Sequence, residues 1–209
     1  MNQKNGCTST SCRCVGPTLL DRCVAIRQYV RPEDVKHLIK VVPLHQLPRG
    51  YTSAGSVAQW MRGHLASGSL RYIPDPPTCD RWGRPAETFR RGGGDCDDLA
   101  ILVASCCRAM NVRMAVIVGI MCNSEECGGH AWVEGEDEAG GFLIEATTGD
   151  IRRVRPPEYE RHFLLTPESC AVAPEHIGRE TQRMVAHINA AVEIARQNEL
   201  LRRAFGIAS

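Results

Sequence analysis

Apolar residues in this chain recur at two periods, every three to four positions in some stretches and every second position in others, which separates helices from strands. Residues 33–42 place Val35, Leu38, Ile39 and Val42 at helical spacing behind Pro32, a residue suited to a first helical turn. A second helix is predicted over 53–66, starting at Ser53 or Ser56. It has Val57, Trp60, Met61, His64 and Leu65 on one side, and Ser67-Gly68-Ser69 closes it. The stripe Leu99, Leu102, Val103, Cys106 and Met110 predicts a core-facing helix over 96–110, with Asn111 as its end cap. Three β-rich runs follow at 113–121, 130–134 and 141–146, joined by 122–129 and a hairpin-like 135–140. The proline-rich stretch 74–85 reads as an irregular connection, and long ordered loops of this kind are often functional.

Beyond residue 174 the pattern is helical again, with Ile177, Met184, Val185, Ile188, Ala191, Val192 and Ala195 in one stripe. A continuous helix of about 30 residues would span about 45 Å. It either projects and docks on a partner chain or breaks once and folds back. The chain thus divides into a cysteine-rich arm with a short helix (1–50, the arm itself running to about residue 23), a central core (51–170) and a helical extension (171–209). The fold class expected for the core is α+β.

Composition excludes several functions. Lys and Arg number 25 against 24 Asp and Glu, a net charge of +1, with no basic stripe of the kind nucleic-acid partners require. No apolar run reaches the roughly 20 residues of a membrane span. The polar N-terminus lacks the charged-then-apolar order of a secretory signal, so a cytoplasmic site of synthesis is expected, with later incorporation into a virion left open. Eleven cysteines, an odd number without a signal, argue for thiols over a secreted disulfide framework. Cys7, Cys12, Cys14 and Cys23 are a weak candidate zinc set, because their spacing lacks paired C-x2-C units. Cys122 and Cys127 are placed to pair or to ligate.

The chemistry concentrates at Gly92-Gly93-Gly94-Asp95-Cys96-Asp97-Asp98. A cysteine in the first turn of a buried helix sits at the positive end of the helix dipole, which lowers a thiol's pKa, and beside free N–H groups able to hold an oxyanion. The three flanking aspartates oppose that effect, so a histidine partner is needed. His130 begins a strand, with Ala131 and Val133 facing away from His130 and Trp132. Glu145, on the next strand, is placed to orient the imidazole.

The boxes Gly94-Asp95-Cys96-Asp97-Asp98-Leu99-Ala100, His130-Ala131-Trp132-Val133-Glu134 and Glu145-Ala146-Thr147 resemble the transglutaminase-like superfamily. They look most similar to its bacterial and phage cysteine proteinases. Upstream, Arg71-Tyr72-Ile73-Pro74-Asp75 and the segment from Trp82 to Phe89 extend the likeness to roughly residues 55–150. The resemblance implies an α+β fold with the cysteine helix packed on an antiparallel sheet. It carries the nucleophile to Cys96, the base to His130 and the orienting acid to Glu145, where many members have Asp. Gln59, Trp60 and Trp82 are candidates for a side-chain oxyanion donor beside the Cys96 N–H.

No cofactor is implied. The expected activity is a thiol hydrolase or acyltransferase on peptide or isopeptide amide bonds, with a peptide or protein as substrate. The alternative is a non-enzymatic structural or adaptor component, for example of a phage particle, built on the same fold.

Overall fold

The computed structural model describes residues 15–16, 18–38, 52–76 and 79–176. In chain order these contain helices α1 (Leu19–Tyr29), α2 (Pro32–Val35) and α3 (Ser53–Ala66), strand β1 (Arg71–Tyr72), helix α4 (Pro85–Arg91), strand β2 (Gly93–Gly94) and helix α5 (Cys96–Ala109). Strands β3 (Arg113–Cys122), β4 (Cys127–Asp137), β5 (Gly140–Glu145), β6 (Asp150–Arg152), β7 (Tyr159–Leu165) and β8 (Cys170–Val172) follow. By contact the chain divides into two compact units, Met1–Ala171 and Val172–Ser209. The expected C-terminal helix, from residue 174 to about 205, is described as helix at 174–176 and lies outside the described residues from 177 on, as do Cys7, Cys12 and Cys14 of the candidate zinc set.

The expected α+β class is the observed one. Six strands form a sheet in the order β6-β5-β4-β3-β7-β8, and the β3–β4, β3–β7, β4–β5 and β5–β6 pairs are antiparallel. Alternation along each strand sorts its side chains. Val116, Ala131, Val133, Ile144 and Leu165 join the main core with Leu99, Leu102, Val103 and Cys106 of α5. Ile117, Trp132 and Leu143 form a second cluster on the other side. Helices α1, α2 and α3 add Ile26, Val35, Val57 and Met61 to the main core, all at 0% exposure. Each such side chain contributes about 1.5–3 kcal/mol of burial free energy.

Four features depart from the expected pattern. The arm expected to be irregular to about residue 23 turns helical at Leu19, because Thr18 and Asp21 form a capping box that satisfies two end groups reciprocally. Of the helix expected over 33–42, the first residues lie in α2 (Pro32–Val35) and 36–38 form a turn, while 39–42 lie outside the described residues. The glycine run before Cys96, which by composition alone reads as flexible, is a packing device. Gly93 has φ +143, and a Cβ there would stand 1.9 Å from the Arg71 carbonyl oxygen across the β1–β2 pair.

The fourth departure concerns the cysteines. Cys23 is bonded to Cys170 and Cys122 to Cys127, and Cys79 is also in a disulfide. Cys23 is therefore no thiolate ligand for zinc. Such bonds persist in oxidising surroundings. Cys96, Cys106 and Cys107 are free thiols among the described residues.

The Cys23–Cys170 bond spans 147 residues and ties α1 to the sheet's far edge. Replacing both by Ser is expected to lower the unfolding free energy by about 2–5 kcal/mol. The check is the urea midpoint under non-reducing conditions, and an unchanged midpoint would mean that the link constrains nothing.

Candidate active site

Strand alternation puts His130, Trp132 and Glu134 on one side of β4, and β5 brings Leu143 and Glu145 to the same side. Pairing between β4 and β5 begins at Val133 and Ile144, so β4 residues nearer Cys127 have no β5 partner and that flank opens to a cleft. There His130 Nε2 lies 2.8 Å from Glu145 Oε2, with both side chains about one-tenth exposed. Burial alone would raise the Glu145 pKa. Hydrogen bonding from and the charge of His130, with two bonds from Thr147, more than reverse this and hold it below the usual carboxylate range. An ionised carboxylate only accepts, so Nε2 carries the proton and Nδ1 is the ring nitrogen left for another partner. The other carboxylate oxygen, Oε1, accepts from Thr147 N at 3.0 Å and Thr147 Oγ1 at 2.7 Å.

Cys96 enters the same cleft from the first turn of α5. A cavity of about 310 Å³ is lined by Cys96, His130, Gly129, Ala131, Asp95, Asp97, Asp75, Asp80, Cys79 and Arg22. Cys96 and His130 thus line one cleft, and Glu145 bonds His130 from behind, although the three come from a helix start and two strands.

A sequence model of the transglutaminase-like superfamily matches residues 45–144. That segment belongs to the superfamily. No curated protein matches the chain. Among solved structures, a candidate cysteine protease from Cytophaga hutchinsonii has a TM-score of 0.48 at 16% identity, covering 67% of this chain. The chain spans only 45% of that protein's length. Legionella pneumophila LapG with calcium bound gives 0.46 at 17% identity, covering 68% of this chain and 88% of LapG. EGTA-treated LapG gives 0.47 at 16%, covering 74% and 76% respectively.

In this transglutaminase-like core the nucleophile candidate is electrostatically restrained. Burial first, then the charges of Asp97 and Asp95, push the Cys96 thiol up to about 12, against a smaller opposing contribution from the Ala131 backbone. Burial likewise raises Asp97, with Asp95, Asp80 and Asp98 adding repulsion, and raises Asp95, which is hydrogen-bonded to Asp97. Two adjacent acids sharing one proton satisfy both shifts. Asp98 is raised to about 6 by burial, tempered by Arg91, which bonds its carboxylate, and by the Gly83 N–H. Asp95, Asp97 and Asp98 bring one oxygen each within 4.8 Å of one another. With Asp98 engaged, one buried oxygen each on Asp95 and Asp97 lacks a hydrogen-bond partner. Asp95 and Asp97, which line the cleft, with Asp98 beside them, are a described group that could hold a hard cation.

The three side-chain oxyanion candidates are not gathered at Cys96. Gln59 and Trp60 line a separate depression with Ser56, His64, Ser67 and Ser69, where Trp60 stacks on Phe89 at 6.0 Å. Helix α3 turns that face outward because its opposite face, Val57, Ala58 and Met61, is taken by the core. Trp82 is buried, with the Arg22 guanidinium 5.5 Å over its ring and its Nε1 without a hydrogen-bond partner. It is not among the residues lining the cleft. Two groups that sequence reasoning missed touch Glu145. Thr147 was visible two residues along in the same box, and Tyr159, whose hydroxyl donates to Oε2 at 3.0 Å, had no local signal.

A negative charge beside the thiol opposes the thiolate, so removing that charge lowers the thiol pKa. Asp95→Asn with Asp97→Asn is expected to move the midpoint of Cys96 alkylation to lower pH by on the order of one unit. Iodoacetamide labelling with peptide mapping between pH 6 and 10 measures it, and a shift the other way would refute this electrostatic account.

Proposed function

We propose that this protein is a thiol-dependent hydrolase or acyltransferase acting on peptide or isopeptide amide bonds through Cys96, His130 and Glu145. The observation that carries the reading is the His130–Glu145 pair in the cleft that Cys96 lines. Nδ1 of His130 takes the thiol proton as Sγ attacks the carbonyl carbon. The tetrahedral oxyanion faces the N–H groups at the start of α5, and collapse passes the proton to the leaving amine. The resulting thioester is resolved by water, giving hydrolysis, or by a second amine, giving transfer. Glu145 holds the imidazole in place and stabilises its protonated form.

The raised Cys96 thiol calls for something to offset the acids around it. The unpartnered oxygens of Asp95 and Asp97 fit a hard divalent cation such as calcium, which takes carboxylate ligands. Bound there, it would neutralise the charge that opposes the thiolate.

The same raised thiol also favours a second reading, a non-catalytic component that keeps the fold. Iodoacetamide at pH 6 separates the two. For an enzyme, Cys96 is the fast-labelled site in millimolar calcium, at least about tenfold slower with chelator and in His130→Ala. Cys96→Ala should leave the melting temperature within a few degrees while abolishing hydrolysis of a peptide library. Slow labelling of Cys96, with and without calcium, would leave the structural reading.

A further inference from the structure

We infer that Tyr159 is a positioning residue for Glu145, turned toward it by a bulge in β7. The inference rests on the Cys96–His130–Glu145 reading and deepens it.

The pairing of β3 with β7 slips by one residue. Val116 opposes Leu165, Ile117 opposes Leu164 and Val118 opposes Phe163, but Gly119 opposes Arg161 and Met121 opposes Tyr159, leaving His162 as the extra residue. Side chains alternate along a strand, so one inserted residue reverses the face of everything beyond it. Leu165 and Phe163 pack in the main core beside α5. In an unbroken strand Tyr159 would share their side, since it lies four and six residues away. The bulge instead puts it with Ile117, Trp132 and Leu143, on the side that carries Glu145.

Gly119 makes room for the slip. A Cβ there would stand 2.0 Å from the Glu160 carbonyl oxygen and 2.9 Å from the Trp132 ring. Tyr159 then packs edge-on against Trp132, with ring centroids 5.1 Å apart, and lies 6.3 Å from the His130 ring.

The consequence is a filled carboxylate. Oε2 of Glu145 accepts from His130 and from Tyr159, and Oε1 accepts twice from Thr147. A carboxylate offers about four acceptor sites. All are occupied, so the side chain has one orientation, which compensates for the freedom that a glutamate's extra methylene brings. Burial and the Glu145 charge raise the Tyr159 pKa, so its hydroxyl stays a donor. Trp132 is itself held, its Nε1 donating to Glu134 at 2.8 Å, and Glu134 pairs with Arg161.

A double-mutant cycle on the full-length protein tests this, reading the rate of Cys96 alkylation by iodoacetamide at one fixed pH. Expected are a fall of at least about fivefold for Tyr159→Phe, a larger fall for Glu145→Gln, and no further fall when the two are combined. Thr147→Val is expected to behave as Tyr159→Phe does, and gives a second arm if the tyrosine variant melts early. If Glu145→Gln slows the reaction but Tyr159→Phe leaves it unchanged, or if their effects multiply, the positioning role is overturned and the triad stands. If Glu145→Gln itself changes nothing, both fall.

Discussion

Helix α5 is buried over nearly its whole length, with only Cys96 and Arg108 partly exposed. One face meets β3 and β4, and α1, α2 and α3 contribute to the same core. Because the helix cannot turn or slide in such a seat, its first turn always presents Cys96 at the same place beside β4. The seat also sets the electrostatics. It removes water from Asp95, Asp97 and Asp98, which lifts their pKa values, and burial with the charges of Asp97 and Asp95 lifts that of Cys96. A helix-start thiol exposed to solvent would be activated by the dipole. Here desolvation and the charges of Asp97 and Asp95 outweigh it.

The sheet supplies the other half. Alternation on β4 and β5 separates two tasks, one side packing α5 and the other carrying His130, Glu145 and the aromatic support around them. Support reaches Glu145 from its own turn through Thr147 and from across the sheet through Tyr159. The imidazole is thus oriented by a carboxylate that is itself oriented from two sides. Such preorganisation is worth most in a site that already excludes water.

Disulfides brace α1 and the β3–β4 turn. Cys23–Cys170 joins α1 to the β8 edge, and Cys122–Cys127 closes the β3–β4 turn next to the glycines that lead into His130. Cys79, also oxidised, stands in the cleft wall. An odd total of cysteines argued for thiols, but parity says nothing about which partners folding brings within reach.

Local patterns in the sequence were enough to determine α3, α5 and strands β3 to β5, and to name the three residues proposed for the site. In each case the signal is carried by neighbours a few positions apart: an apolar stripe on α5, alternation around His130, Glu145 two residues before Thr147. The α1 helix was legible too, through Thr18 and Asp21, but its cysteine context drew the reading toward an irregular arm. Tertiary structure alone decided what depends on distant segments meeting. That includes the outward turn of Gln59 and Trp60, the pairing of Cys23 with Cys170, the burial that raises Cys96, and the bulge at His162 that delivers Tyr159 to Glu145. Register and burial are set by packing between segments, and no window along the chain contains both partners.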